Sequence, residues 1–202
     1  MKTTLFIFAL MLSAAMAFAQ EKDATPSSFP QFGVRVGYST SIVHGNTFEG
    51  KCLSGTNAGI IADFRVTDSW NIRPGVYFTM KGFDEKSASD IDYKARLNYL
   101  EVPLLAVYKK AIGSKCALEL QVGPYFSYGI SGKSDQTKMT YDRYSYYKTF
   151  DMFKRFDWGA NVGIGFDIDK FYIGAAYDFG FVSIIRHALN HCIMANVGYR
   201  IL

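Results

Sequence analysis

The sequence predicts an all-β protein, an eight-stranded antiparallel up-and-down transmembrane β-barrel that occupies residues 32–202. Three observations support this prediction. Eight segments alternate between apolar and other residues with a period of two, as β-strands do. One face of these segments is apolar and uncharged, whereas the other is rich in glycine and holds balanced charges. Short and long connections alternate along the chain, which is typical of transmembrane barrels.

Composition excludes several classes of protein. The chain has 202 residues, 49% of them hydrophobic, which is too high a fraction for a disordered chain and suits a single domain. The net charge of +4 is spread along the sequence without a basic run, so we expect no nucleic-acid partner. The 3 cysteines show no CxxC spacing, which argues against a zinc site. We therefore expect no metal and no cofactor.

The first residues have the order of a secretory signal peptide. Lys2 supplies a positive start, residues 5–18 are mostly apolar, and small residues precede a cleavage point after Ala19. We therefore expect a signal peptide at 1–19 and a polar, periplasmic lead-in at 20–31. The alternative is an uncleaved membrane anchor, for which the apolar run is short.

The predicted strands follow from their apolar faces, taken in chain order. These faces comprise Phe32, Val34, Val36 and Tyr38; Ala58, Ile60, Ala62, Phe64 and Val66; Trp70, Ile72, Pro74, Val76, Phe78 and Met80; Leu100, Val102, Leu104, Ala106 and Tyr108; Cys116, Leu118, Leu120, Val122, Pro124, Phe126 and Tyr128; Phe156, Trp158, Ala160, Val162, Ile164 and Phe166; Phe171, Ile173, Ala175, Tyr177 and Phe179; and Ile193, Ala195, Val197, Tyr199 and Ile201. Pro74, Pro103 and Pro124 lack a ladder donor, so the strand register near them stays open.

The opposite faces are predicted to line the barrel interior. Glycines suit a narrow eight-stranded interior, and charges there must be paired. The expected interior ion-pair network comprises Arg35, Asp63, Arg65, Arg73, Glu101, Glu119, Arg155, Asp157, Asp178 and Arg200, with Asp63 opposite Arg73. The apolar faces would then contact lipid, where strands exist only as closed barrels. The alternative is a soluble lipocalin-like carrier, because the strands of such a protein also alternate between apolar and polar residues.

Connection lengths and aromatic positions also support a transmembrane barrel. Short turns are expected at 67–69, 109–115 and 169–170, and long polar loops near 42–55, 81–96 and 130–153. Aromatic residues fall at both expected membrane interfaces. The rim near the short turns holds Phe64, Trp70, Tyr108, Phe166, Phe171 and Tyr199, and the other rim holds Tyr38, Phe78, Tyr128, Phe156, Trp158 and Phe179.

Two features of the expected outer loops are candidate sites. Cys52 and Cys192 would lie near each other at the outer end, and an oxidising envelope permits a disulfide there, the alternative being free thiols. The third loop combines tyrosines with basic residues, which suits contacts with glycans or lipopolysaccharide phosphates. This possible contact surface comprises Tyr141, Arg143, Tyr144, Tyr146 and Tyr147. The alternative is a solvated loop with incidental tyrosines.

Catalytic motifs are scarce. His187 and His191 are four residues apart but lack the glutamate of a metalloprotease motif. A lipid-modifying enzyme would need a histidine near a serine, and His187 with Ser183 is the only candidate pair. We therefore expect no catalytic, cofactor-binding or metal-binding residues.

Several motifs resemble the PorT family of small outer-membrane β-barrels of Bacteroidetes. The motifs are Phe32-Gly-Val-Arg-Val-Gly-Tyr38, Arg73-Pro-Gly-Val-Tyr77, Asn98-Tyr-Leu-Glu-Val-Pro-Leu-Leu105, Gly123-Pro-Tyr-Phe126, Asp157-Trp-Gly-Ala-Asn-Val-Gly163 and Gly198-Tyr-Arg-Ile-Leu202. The resemblance implies an outer-membrane location, lipid and lipopolysaccharide as surroundings, and envelope or secretion proteins as partners. We expect a non-enzymatic protein with a structural, adhesion or secretion-associated role; the alternatives are an enzyme acting on lipid A or phospholipid and the soluble carrier.

Overall fold

The computed structural model describes residues 30–45, 48–49, 51–86, 91–138, 154–185 and 188–201. These residues form nine β-strands: β1 (Gln31–Gly45), β2 (Phe48–Glu49), β3 (Lys51–Arg65), β4 (Trp70–Lys86), β5 (Ile91–Ala111), β6 (Cys116–Lys138), β7 (Phe156–Ile168), β8 (Phe171–Ile185) and β9 (Ala188–Arg200). The predicted signal peptide, most of the lead-in, His187 and the tyrosine-rich segment from Tyr141 to Tyr147 lie outside the described residues.

All neighbouring strands pair antiparallel, and the sheet closes on itself. Each strand from β3 to β9 pairs with the next, β1 pairs with β3, and β1 also pairs with β9. The two-residue strand β2 adds only a short pairing at the end of β1. The predicted eight-stranded up-and-down barrel is therefore confirmed. No helix in the described part of the chain is long and apolar enough to cross a bilayer.

The barrel is apolar outside and polar inside. Among the described residues, thirty large hydrophobic side chains are exposed, and the buried side chains include seventeen polar or charged ones but only nine hydrophobic ones. The exposed residues follow the predicted apolar faces. A water-soluble carrier does not tolerate an apolar belt of this size, whereas a lipid-facing surface requires it.

Aromatic rings pair at both rims of this belt. Trp70 and Tyr108 lie 5.2 Å apart between ring centroids near the short turns, and Phe171 and Tyr199 lie 5.3 Å apart at the same level. At the opposite rim Trp158 packs edge-on against Phe181. We call the end with the short connections the turn end and the opposite end the extended end.

The long polar loops expected at the extended end are mostly strand. β5 has 21 residues and β6 has 23, so these strands continue far past the predicted loop boundaries at 96 and 130. The amides there pair with a neighbouring strand, and polar side chains are tolerated because this part lies beyond the apolar belt. Hydrophobic alternation marks only the part of a strand that faces lipid, which explains the difference.

The three prolines within the belt keep their places in the pairing. Pro74, Pro103 and Pro124 lie opposite Leu104, Tyr125 and Ala160, respectively. The register of the β5–β6 pair shifts elsewhere, between Asn98 and Tyr99. Such a bulge adds one residue to one strand and exchanges the faces on which the following side chains lie.

Of the two alternatives for Cys52 and Cys192, a disulfide or free thiols, the structure has free thiols, and strand geometry explains why. Cys52 and Cys192 are both free. Cys192 pairs in register with Ser41 on β1, while Cys52 lies beyond β1 on β3. Two strand spacings separate the cysteines, roughly 9.6 Å, which exceeds the span of a disulfide. Their side chains also differ in exposure, because Cys52 is exposed and Cys192 is only 1% exposed inside the barrel.

Cysteine labelling tests this arrangement. In folded Cys116→Ser protein we expect a maleimide to modify Cys52 alone, because Cys192 is buried among interior groups. Unfolding in urea should expose the second thiol, and intact-protein mass spectrometry counts the adducts. Finding no reactive thiol until a reductant is added would contradict the structure.

Glycines in the wall allow close strand approach. A Cβ atom added at Gly159 would lie 1.9 Å from the backbone oxygen of Phe179 and 2.8 Å from Cε1 of Tyr125. We expect Gly159→Ala to destabilise the barrel by about 1–3 kcal/mol, because backbone has to shift to admit the methyl group. Gly113→Ala is the matched control, since the nearest heavy atom there is 4.0 Å away. Equal urea midpoints for the two variants in detergent would contradict this reading.

Candidate functional site

The interior of the barrel is built around Arg73 on β4. Its guanidinium donates through Nε to Asp63 Oδ1 at 2.5 Å and through Nη2 to Asp63 Oδ2 at 2.7 Å. The same group donates to both carboxylate oxygens of Glu119, through Nη1 at 2.5 Å and Nη2 at 2.7 Å. Arg73 is 1% exposed. A planar guanidinium held by two carboxylates suits burial, because most of its donors are satisfied.

More cations surround the same carboxylates. Arg35 Nη2 donates to Glu119 Oε1 at 2.8 Å, and the Arg35 guanidinium lies 3.5 Å from the centroid of the Tyr172 ring. Lys109 Nζ lies 3.0 Å from Asp63 Oδ2 and 2.8 Å from Asp167 Oδ2. Arg200 Nη2 completes the group at 3.1 Å from Asp167 Oδ2. We call these residues the turn-half cluster: Arg35, Asp63, Arg73, Lys109, Glu119, Asp167 and Arg200.

A second cluster lies nearer the extended end. Lys81 Nζ lies 2.6 Å from Glu101 Oε2 and 3.1 Å from Asp178 Oδ2, and it lies 4.5 Å from the centroid of the Tyr125 ring. Ser127 Oγ donates to Glu101 Oε2 at 2.9 Å. Asp157 is also buried here and accepts from the Tyr125 hydroxyl at 3.5 Å. We call Lys81, Glu101, Tyr125, Ser127, Asp157 and Asp178 the extended-half cluster.

Two amide side chains connect the clusters. Arg35 Nη1 donates to Gln121 Oε1 at 3.1 Å, Gln121 Nε2 donates to Asn161 Oδ1 at 3.1 Å, and Asn161 Nδ2 donates to Asp178 Oδ1 at 2.7 Å. The orientation of each amide is set by its neighbours, because one end must accept from a cation and the other must donate toward a carboxylate. Polar contacts therefore run along most of the described interior.

The charges are not balanced at each level. The turn-half cluster has four cations and three carboxylates, whereas the extended-half cluster has one lysine and three carboxylates. Together the two clusters hold five cations and six carboxylates, so the predicted balance of five against five is not exact. The physical reason is that distance along the axis decides which charges meet, and the alternation of side chains does not report that distance.

Arg65 and Arg155 do not lie in the interior as predicted. The Arg65 side chain is 49% exposed and pairs with Asp68 in the adjoining turn at 2.8 Å. It lies at the end of β3, so a side chain at this inward-facing position is already beyond the mouth of the barrel. Arg155 is exposed and precedes β7, where it donates to the backbone oxygen of Gly129 at 3.4 Å.

Three interior charges escaped the sequence prediction. They are Lys81, Lys109 and Asp167, and each directly follows the last apolar residue of a predicted segment. Continuing the period of two by one residue beyond each segment would have placed them inside. The other predicted members, Arg35, Asp63, Arg73, Glu101, Glu119, Asp157, Asp178 and Arg200, lie in or border the interior.

Two ion pairs cross the full width of the barrel. Arg35 on β1 meets Glu119 on β6, and Lys81 on β4 meets Asp178 on β8. Each pair joins strands four places apart in a closed ring of eight, which are opposite walls. These bridges fill the axis at two levels. Within the described residues no group of three or more His, Cys, Asp or Glu side chains is arranged to hold a metal ion.

Replacing Arg73 tests the interior network. We expect Arg73→Ala to lower the free energy of unfolding by about 3–5 kcal/mol, because Asp63 and Glu119 then lose their main buried cation. The matched control is Arg65→Ala, which removes an exposed pair worth less than about 1 kcal/mol. The loss of the heat-resistant folded band on unboiled gels measures both. Equal heat resistance in the two variants would contradict a structural role for Arg73.

Comparison with known proteins places the chain in a family. No protein with a curated description matches the sequence. Among solved structures, Ail, the attachment invasion locus protein of Yersinia pestis, is 20% identical and covers 86% of this chain and 99% of its own, with a TM-score of 0.48. The outer membrane enzyme PagL is 10% identical and covers 83% of this chain and 99% of its own, with a TM-score of 0.51. Identities this low concern the fold alone. The family model described as "Outer membrane protein beta-barrel domain" matches residues 18–186, and the chain belongs to this family of outer-membrane proteins.

Proposed function

We propose that this protein is a non-enzymatic outer-membrane protein that acts through contacts made at its extended end, with a structural, adhesion or secretion-associated role. The observation that carries the proposal is the length of the β5–β6 hairpin beyond the lipid-facing belt. Short turns of outer-membrane barrels face the periplasm, so the extended end faces the exterior.

The β5–β6 hairpin extends well beyond the lipid-facing belt. Its strands pair from Ala111–Ala117 at the turn end to Ile91–Lys138 at the other. The outer aromatic level is marked by Tyr128, which pairs with Leu100. Nine residues of β5 lie beyond that level, which corresponds to roughly 30 Å at the rise of an antiparallel strand.

The projection is wider than a single hairpin. β4 accompanies β5 as far as the pair formed by Lys86 and Asp92, so three strands form the wall. On the other side of β6, strand β7 begins at Phe156, close to the aromatic level. A three-stranded wall offers a partner more surface, and more rigidity, than a loop does.

The filled interior supports a role at the surface. The Arg35–Glu119 and Lys81–Asp178 bridges span opposite walls, so passage of a solute along the axis would require breaking buried ion pairs. The residues that bridge the lumen are held by structural partners, which favours a stabilising role for them over acid–base chemistry.

The composition of the projection suggests its partners. Residues 133–148 of the sequence contain Tyr141, Tyr144, Tyr146 and Tyr147 among Lys133, Lys138, Arg143 and Lys148. Aromatic and basic groups together suit sugars and lipopolysaccharide phosphates, and also acidic surfaces of envelope proteins. The resemblance to the PorT family adds secretion proteins as candidate partners.

Cross-linking from the wall tests the proposal. A photoreactive residue at Lys133 in β6 should cross-link to lipopolysaccharide or an envelope protein in intact cells, whereas the same residue at Lys110, at the turn end, should not give that product. Replacing the tyrosines at 141, 144, 146 and 147 by serine should weaken the cross-link at least several-fold while the heat-resistant folded band persists.

Lipid analysis separates this function from the enzymatic alternative. Deleting the gene should leave the mass spectra of lipid A and phospholipid unchanged. A changed lipid A mass that is restored by the normal gene, but not by a His187→Ala variant, would overturn the proposal in favour of a lipid-modifying enzyme.

A further inference from the structure

An apolar groove runs along the outer surface of β9 in the turn-end half of the belt. The groove has a volume of about 440 Å³. Its walls and floor come from three neighbouring strands, β8, β9 and β1, and they include Phe171, Ile173, Val197, Tyr199, Val34 and Val36. It lies on the outer surface, apart from the extended end, and the proposed function does not use it.

Val197 lies in the middle of the groove, between Val36 and Ile173, which are its register partners on the two sides. Phe171 and Tyr199 line the groove toward the turn-end rim.

The groove reaches the turn-end rim of the lipid-facing belt, since Phe171 and Tyr199 are among its lining residues. The Phe171–Tyr199 ring pair lies at the turn-end rim, at the level where aromatic residues meet headgroups.

Basic groups lie directly beyond this rim. Arg200 follows Tyr199 in the chain, and Lys170 precedes Phe171; the Arg200 amide donates to the Lys170 backbone oxygen at 2.8 Å. Lys170 is exposed, and the Arg200 side chain is 30% exposed. Asp167 accepts from Arg200 at 3.1 Å, which leaves the other donors of this guanidinium for an additional acceptor.

The whole turn end carries a positive excess among its described residues. Five basic residues lie in the expected short turns or within two residues of them, against three acidic ones: Arg65, Lys109, Lys110, Lys115 and Lys170 against Asp68, Asp167 and Asp169. Arg200, at the end of β9, lies beside Lys170. A small cavity inside the barrel mouth is lined by Lys109, Lys170 and Arg200, and it shares Val34, Gly198 and Tyr199 with the apolar groove. The positive mouth and the apolar groove are thus two sides of the same wall.

We propose that this groove is a binding site for one anionic phospholipid of the periplasmic leaflet. An acyl chain lies along Val197 and Ile173, and the phosphate lies against Lys170 and Arg200. The turn end faces the periplasm, where the leaflet consists of phospholipid, so lipopolysaccharide is not the ligand. The positive excess selects an anionic headgroup over a zwitterionic one, since a basic residue near a membrane surface favours anionic lipid.

Native mass spectrometry of the full-length protein in detergent tests the site. The probes are phosphatidylglycerol and phosphatidylethanolamine with identical acyl chains. We expect one phosphatidylglycerol to be retained at least fivefold more strongly than phosphatidylethanolamine, as one nearby basic charge would produce. Lys170→Gln should reduce that preference about fivefold, whereas Lys110→Gln, at the turn end of β5, should leave it unchanged.

A second pair of variants tests the groove itself. Val197→Trp should abolish retention of the lipid because the ring fills the groove. Val122→Trp is the matched control, an equally exposed valine on β6 far from the groove, and it should retain the lipid. The heat-resistant band shows that both variants fold.

Three results would overturn the assignment. Equal retention of the two lipids by the normal protein would mean an unselective lipid annulus. Loss of lipid in both tryptophan variants would mean that no defined groove is needed. A dimer that disappears in Val197→Trp, without any bound lipid, would mean that a second copy of the chain occupies the groove. Each result is independent of cross-linking at the extended end, so this site and the proposed function fail separately.

Discussion

The pairing of β1 with β9 is the constraint on which the rest of the structure depends. A strand edge left open in hydrocarbon would carry unpaired amides, each costing several kcal/mol, so the sheet must close. Twelve register pairs join β1 and β9, from Gly33–Arg200 to His44–Leu189. Closure with eight strands leaves an interior only as wide as the side chains that fill it. Glycines such as Gly159 and the cross-barrel ion pairs follow from that narrow interior.

The interior shows how a small barrel buries charge. Isolated charges cannot stay there, so Arg73 is shared by two carboxylates and Glu119 is shared by two arginines. A buried pair of this kind adds little net stability compared with a well-packed apolar core, but losing one partner is costly. An apolar interior is poorly compatible with this fold, because the outside must already be apolar. A barrel apolar on both faces would lack the alternation that selects one register. We infer that the ion pairs specify which face is inside as much as they stabilise the folded chain.

Much of the fold could be predicted from the sequence because a strand has a period of two and only one of its two faces contacts the apolar lipid. That reasoning places Arg73 beside Asp63 across the turn, since counting from a short turn gives the register. It fails where the period is broken or where it ends. Arg65 is at an inward-facing position of the alternation but lies beyond the barrel mouth. Lys81 lies in the interior although it follows the last apolar residue of its predicted segment. The shift between Asn98 and Tyr99 is invisible to alternation as well.

The candidate sites were harder to predict because they depend on distances across the sheet. The order of strands and loops in the sequence places Cys52 and Cys192 at the same end of the barrel. In the structure, however, the whole of strand β1 lies between them. The groove on β9 has the same origin. Val34, Ile173 and Val197 are ordinary lipid-facing residues in sequence, and only the register of β8, β9 and β1 brings them into one groove.

The two ends of the barrel therefore differ in kind. At the turn end the connections are short, and basic residues such as Lys170 lie at the level of lipid headgroups. At the extended end β4, β5 and β6 rise well beyond the lipid-facing belt. Between the two ends, Arg35 and Lys81 tie opposite walls together, so side chains fill the lumen at two levels. Strand length above the belt and side-chain size within it can change without disturbing this closed, filled barrel. One barrel architecture can therefore present different surfaces at its extended end and on its lipid-facing wall.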